Sequence, residues 1–165
     1  MSTKPPISAS NIVRRIQSLW CRFSRLLGTL APGGDLILRL WVANVFFASA
    51  LTKIQSFETT VMLFEYEFAV PLLPPVAAAW IGTGIELLFP VLLAVGLTGR
   101  FSAVVLFLFN IVAAISYPDI SDAGIRDHQI WGIMLLVMLL HGPGKLSLDY
   151  LLFHKLRIFR PKEAE

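Results

Sequence analysis

The stretch VAAAWIGTGIELLFPVLLAVGLT, residues 76–98, decides the fold. It carries one charge, Glu86, in an otherwise apolar run. A membrane-spanning helix needs about 20 apolar residues, or about 17 at the short end. Working outward, the chain repeats the signal at Leu36–Thr52, Phe101–Tyr117 and His128–His141. Composition agrees: 56% of the residues are hydrophobic, 15% are charged and the mean hydropathy is +0.70. A soluble domain is typically about 25% charged. The expected fold is all-α, an integral-membrane four-helix bundle. Amphipathic interfacial helices are expected at the N-terminus, in the first outer loop and at the C-terminus.

Three segments follow. Residues 1–34 read as a cytoplasmic tail and an amphipathic surface helix. Residues 35–142 hold four spans, and residues 143–165 form a basic tail with a short amphipathic helix. In the first segment Pro5-Pro6 blocks a helix, and Ser10 or Asn11 offers a cap. Ile12, Ile16, Leu19, Trp20, Phe23, Leu26, Leu27 and Leu30 then recur at helical spacing, with Arg14, Arg15, Arg22 and Arg25 on the other face. A basic amphipathic helix with a Trp suits a membrane surface. The same pattern also suits docking to a cytoplasmic partner. Ala31-Pro32-Gly33-Gly34 is expected to end this helix and turn the chain into span one. Phe57, Val61, Phe64 and Phe68 predict a second amphipathic helix, followed by an extended entry through Pro71–Pro75.

Charge sets the topology. Eleven basic residues flank the spans on one side: Lys4, Arg14, Arg15, Arg22 and Arg25, then Arg100, then Lys145, Lys155, Arg157, Arg160 and Lys162. The opposite connections hold only Lys53 and Arg126, amid six acidic residues. The positive-inside rule puts both termini in the cytoplasm. These basic residues lie beside apolar spans, so the pI near 9.3 points to the lipid bilayer as partner and not to nucleic acid. Span four is the shortest, since Ile130–Leu140 alone is short enough to be re-entrant. The basic tail after it argues for a crossing, provided His128 and Gln129 are shielded or interfacial. Ala48-Ser49-Ala50 mimics a signal-peptide cleavage site, but the preceding segment is too long for one.

Polar groups recur inside the spans. Counted from the cytoplasmic ends at 1.5 Å per residue, Asn44 and Asn110 lie at about 13 Å, Glu86 at about 18 Å and Lys53 at about 27 Å. Side chains lean toward their helix N-terminus, so Glu86 leans outward and Lys53 inward, and the two can meet. Arg39 leans toward the cytoplasm and matches Glu86 less well. The expected site is a Lys53–Glu86 ion pair buttressed by Asn44 and Asn110, lining a cavity open outward. Arg39 and His128 complete the set of candidate binding residues. A carboxylate at this depth must be paired, solvated or protonated. The plainer reading is that each polar group only glues helices together. Ala78 and Gly82 mark a close-packing face.

No metal is expected. His128 with Asp119, Asp122 and Asp127 fits no strong ligand spacing. His128 and His141 are about 20 Å apart along one helix and cannot share a haem iron. Cys21 is the only cysteine, so no internal disulfide or Cys-x-x-Cys couple exists. No phosphate loop, nucleophile elbow or dinucleotide fingerprint occurs, so there is no intrinsic catalytic motif.

Several short motifs carry a resemblance. They are Leu38-Arg39-Leu40, Phe46-Phe47-Ala48-Ser49-Ala50-Leu51 with Lys53, then Gly82 and Glu86, then Gly96-Leu97-Thr98 with Arg100 and Ala103. Over about residues 35–142 the chain resembles the DoxX family of small bacterial inner-membrane proteins. Ala50 stands where that family's Phe-x-x-Gly-x-x-Lys pattern has glycine. Related DoxD-type proteins are subunits of thiosulfate:quinone oxidoreductase. Other members resemble components of complexes handling oxidative and thiol stress, with superoxide dismutase and sulfurtransferase partners. The resemblance therefore implies a membrane subunit or anchor of a redox or stress-related complex, with oxidoreductase or stress-response partners. The chain shows no redox centre of its own, so no intrinsic cofactor is expected; a quinone or other small molecule around Glu86 is the expected ligand, and a homo-oligomer is a further option. Two other readings stand beside it: a small transporter or channel using Glu86 and Lys53, and a structural membrane scaffold.

Overall fold

The computed structural model describes residues 9–152, with side chains from Val13 onward. Six helices follow in order: α1 Ala9–Gln55, α2 Phe57–Tyr66, α3 Pro75–Val95, α4 Gly99–Ser116, α5 Asp122–His141 and α6 Leu148–Tyr150. Among the described residues there is no strand. The second half of α1 packs on α3, α3 on α4, α4 on α5, and α5 closes the ring against α1. Short connections after α3 and α4 make those neighbours antiparallel.

Local chemistry explains the turns. Pro75 opens α3 at a position where its missing N–H costs nothing. Gly96, at φ +73°, ends it: Leu97 N–H reaches back to the Leu92 carbonyl and Gly96 N–H to that of Leu93, each at 3.0 Å. Ser121 caps α5, its hydroxyl accepting from Gly124 N–H at 3.1 Å. Along α3 the residues Ala78, Ala79, Gly82, Thr83, Glu86, Pro90 and Leu93 face inward at three-and-four spacing. Ile37, Trp41, Leu88, Val91, Ile111, Ile133 and Leu140 face outward and are exposed.

This outward belt sits on four helices long and apolar enough to cross a membrane. In water it would be an aggregation surface; in lipid it is solvated. The fold is an all-α membrane bundle. Its core, nearer the end where α3 meets α4, is Val42, Phe46, Leu93, Ala103, Leu106, Leu135 and Met138. A second cluster of Phe64, Ala78 and Ala79 forms where α2 folds onto α3. There the Phe57 and Trp80 rings lie 4.3 Å apart, and the Phe68 and Tyr117 rings 5.4 Å apart.

Three local expectations change. First, α1 runs unbroken for 47 residues through Ala31-Pro32-Gly33-Gly34. Pro32 removes one backbone bond and its ring presses on the carbonyl of Gly28. The amphipathic segment is nonetheless collinear with span one. Second, Pro71–Pro75 is a turn as well as an extended entry. Leu72 sits at φ +66°, fully exposed, and extended backbone appears at Pro74. Third, α5 starts at Asp122 and takes up Arg126, Asp127 and His128. Ala9, Ser10 and Asn11 lie within α1; the readings of residues 1–8 and of the tail to Phe159 with His154, Lys155 and Arg157 fall outside the described residues.

Candidate functional site

Lys53 comes from the last turn of α1 and Glu86 from the middle of α3. Their side chains form a salt bridge, Lys53 Nζ to Glu86 Oε2. Ser49, one helical turn before Lys53, completes the group. Its hydroxyl donates to Glu86 Oε1 at 3.1 Å and accepts from Lys53 Nζ at 3.3 Å. Glu86 is buried, while Lys53 keeps 18% of its side chain accessible. Thr60 Oγ1 donates to the Lys53 carbonyl at 2.9 Å and ties α2 to the end of α1. Pro90 lies one turn beyond Glu86 and supplies no N–H, so the Glu86 carbonyl loses its helical donor.

The pair lines a cavity of about 380 Å³ between α2, α3 and α4. Its walls are otherwise almost wholly apolar, among them Phe64, Phe68, Ile85, Val105 and Phe109. Ser116 also lines it; the hydroxyl is buried and has no partner among the described residues. Ile81, Leu108 and Val112 line the cavity and are themselves exposed on the lipid-facing side of α3 and α4. The mouth therefore faces the acyl chains. The expected cavity exists, but α2 covers its outer end and it opens sideways.

The other candidates go elsewhere. Asn110 turns to α5: its Nδ2 donates to the His128 carbonyl at 2.8 Å, and its Oδ1 lies 2.8 Å from His128 Nδ1. A Cβ at Gly132 would come within 3.3 Å of that amide, so glycine leaves room for it. This lock leaves His128 half-buried, while Gln129 beside it is exposed. Asn110 does not buttress Glu86, because adjacent positions on a helix point about 100° apart and it is Phe109 that faces the cavity. Asn44 is exposed on the outer side of α1 and makes no hydrogen bond among the described residues. Sharing a depth does not place residues on a shared face.

Arg39 founds a separate cluster at the opposite end of the bundle. It is 1% exposed, and its Nη2 donates to the Leu146 carbonyl. Asp35 and Asp149 are the nearby countercharges. A Cβ at Gly96 would overlap Arg39 Nη1, so glycine there serves both the turn and the guanidinium. Asp149 accepts from Thr98 N–H at 2.9 Å and Gly99 N–H at 2.8 Å, capping α4.

Sequence reading missed Ser49, Ser116, Asp149 and Pro90. Ser49 had a signal, since it stands four residues before Lys53 on one face. Ser116 and Asp149 act through tertiary contacts with no local signature.

These features define a small four-span membrane protein with an ion pair set inside its bundle. The DoxX family model matches residues 34–118, about half of the chain, and the protein belongs to that family. The match runs from the middle of α1 to the end of α4. An uncharacterized protein of Haemophilus influenzae is 35% identical over 123 residues, covering 71% of this chain and 82% of the relative. No solved structure matches.

Proposed function

We propose that this DoxX-family protein binds a lipophilic small molecule with one polar end, in the cavity between α2, α3 and α4. The observation that carries this is an apolar chamber open to the acyl layer, with polar groups restricted to the Lys53–Glu86 pair and the Ser116 hydroxyl, which has no partner among the described residues. Ligand pockets combine apolar walls with a few placed polar groups in this way. A quinone has the right chemistry: an apolar tail for the lateral mouth and ring carbonyls to accept from Ser116 or Lys53. On this reading the chain is the membrane subunit or anchor of a redox or stress-related assembly, and other proteins supply the electron-transfer centres.

The basic bias of the termini and the α3–α4 turn supports a bacterial inner-membrane location with both ends cytoplasmic. The apolar core of Val42, Phe46, Leu93 and Leu106 between the Glu86 and Arg39 levels favours binding over conduction.

The test is purification in mild detergent, extraction of bound small molecules and mass spectrometry. Stoichiometric quinone in the native protein, lost from a Val112→Trp variant that narrows the mouth, is the expected result. Preparations free of quinone that also fail to take up added ubiquinone overturn the ligand. Affinity purification that never recovers an oxidoreductase overturns the assembly role.

A further inference from the structure

The rod of α1 measures about 70 Å at 1.5 Å per residue, whereas the apolar layer of a bilayer is about 30 Å thick. More than half of its length therefore lies beyond the acyl region if it stays straight. That length is not polar all round. Val13, Ile16, Trp20, Phe23, Leu27 and Leu30 form an exposed stripe with no packing partner outside α1 among the described residues.

The stripe does not stop where the membrane begins. Gly34, Ile37, Trp41, Asn44, Ala48, Leu51 and Gln55 extend it at the same alternation of three and four residues. All thirteen positions are exposed; every residue from Val13 to Ala31 is, so there it is the apolar spacing that marks the stripe. Within the span they lie on the opposite side of the helix from buried Arg39, Val42, Phe46 and Ala50. A seven-residue repeat sustained over this length is the signature of two helices winding around each other. A lipid-facing surface needs apolar residues but no such period.

Two further features choose the partner. Arg14, Arg15, Arg22 and Arg25 all fall outside both the seam and the positions flanking it, which are filled by Gln17, Leu19, Ser24 and Leu26. A second copy laid parallel would bring no like charges face to face, as a flanking arginine would. Asn44 is the one strongly polar seam residue at membrane depth. In lipid an unpaired amide is costly, and only a parallel, in-register copy places an identical amide opposite it. Gly34 and Ala48 are small enough to let the two backbones approach.

We propose that this chain forms a parallel homodimer through the α1 stripe from Val13 to Gln55, with Asn44 paired across the two-fold axis. A stable interface needs roughly 800 Å² per partner, which thirteen seam residues supply at on the order of 60 Å² each.

The test uses the full chain in native membranes, with Cys21 changed to Ser and single cysteines introduced. Ile16→Cys and Leu30→Cys lie on the seam, and Ser18→Cys lies on the outer face and reports random collisions. Seam cysteines are expected to form a disulfide-linked dimer about tenfold faster than the outer one, because only the seam brings Cα atoms within bonding range. Asn44→Leu keeps the apolar seam and is expected to relax the register, lowering the Leu30→Cys cross-linking yield relative to Ser18→Cys. Equal rates at seam and outer positions overturn the proposal. So does a cross-link to another protein, or a spin label at residue 16 found within the lipid headgroups while mass photometry gives a monomer.

Discussion

At the residue scale the Lys53–Glu86 pair is a salt bridge set inside the bundle. Removing one partner leaves the other uncompensated, which in buried pairs costs about 3–5 kcal/mol. Lys53→Met and Glu86→Gln are expected at the low end, because Lys53 keeps some access to solvent. The double variant should lose less than the sum, with a coupling of about 1 kcal/mol or more in detergent unfolding. Additive losses would show that the two groups act separately. Glycines offer a second contrast. Gly96→Ala puts a side chain into left-handed backbone and into the Arg39 guanidinium, so a loss of at least about 2 kcal/mol is expected. Gly84→Ala meets nothing within 4 Å and should gain roughly 0.5–1 kcal/mol from helix propensity. Thermal melts of the two proteins side by side would check both. The pair was legible in the sequence because depth and side-chain lean are one-dimensional properties. The partners of Asn110 and Arg39 and the outward face of Asn44 were not, since they depend on the direction each helix face takes after packing.

At the element scale α1 is where local rules and the fold part company. Pro and paired Gly are strong breakers in a soluble loop, yet the helix passes through them. Transmembrane helices tolerate such residues when neighbouring groups or small adjustments satisfy the freed backbone. An unbroken rod predicts a distance. Spin labels at native Cys21 and at Ala48→Cys are separated by 27 residues, so about 40 Å is expected in magnetically dilute samples. A much shorter distance would mean that the chain folds at Pro32. Pro32→Ala should leave that distance unchanged. The existence of each span was readable from apolar length. The start of α5 was not, because Asp122, Arg126 and Asp127 carry no apolar signal and join the helix through the Ser121 cap.

At the scale of the whole molecule, the proposed topology, four crossings with both ends cytoplasmic, makes a simple demand on accessibility. Cys21 should be protected from a membrane-impermeant thiol reagent added to intact spheroplasts and labelled after permeabilisation. Labelling before permeabilisation would invert the topology. The antiparallel pairing of α3 with α4 and of α4 with α5 follows from their short connections, whereas closure of α5 against α1 joins helices that are not consecutive and had no signal in the spacing. That α2 would cover α3 and shut the outer end of the cavity was not legible either, because an amphipathic helix has the same pattern whether it floats on lipid or on protein. The long first helix also has a mechanical meaning. Lys53 anchors one end of a stiff bar whose other end stands clear of the bundle. Its second half is held against α3, so the free arm is residues 9–34, about 39 Å long, and tilting it by about 5° moves its tip through about 3 Å. A shift of the packed half would therefore be passed to the surface beyond the bundle as a swing of that arm.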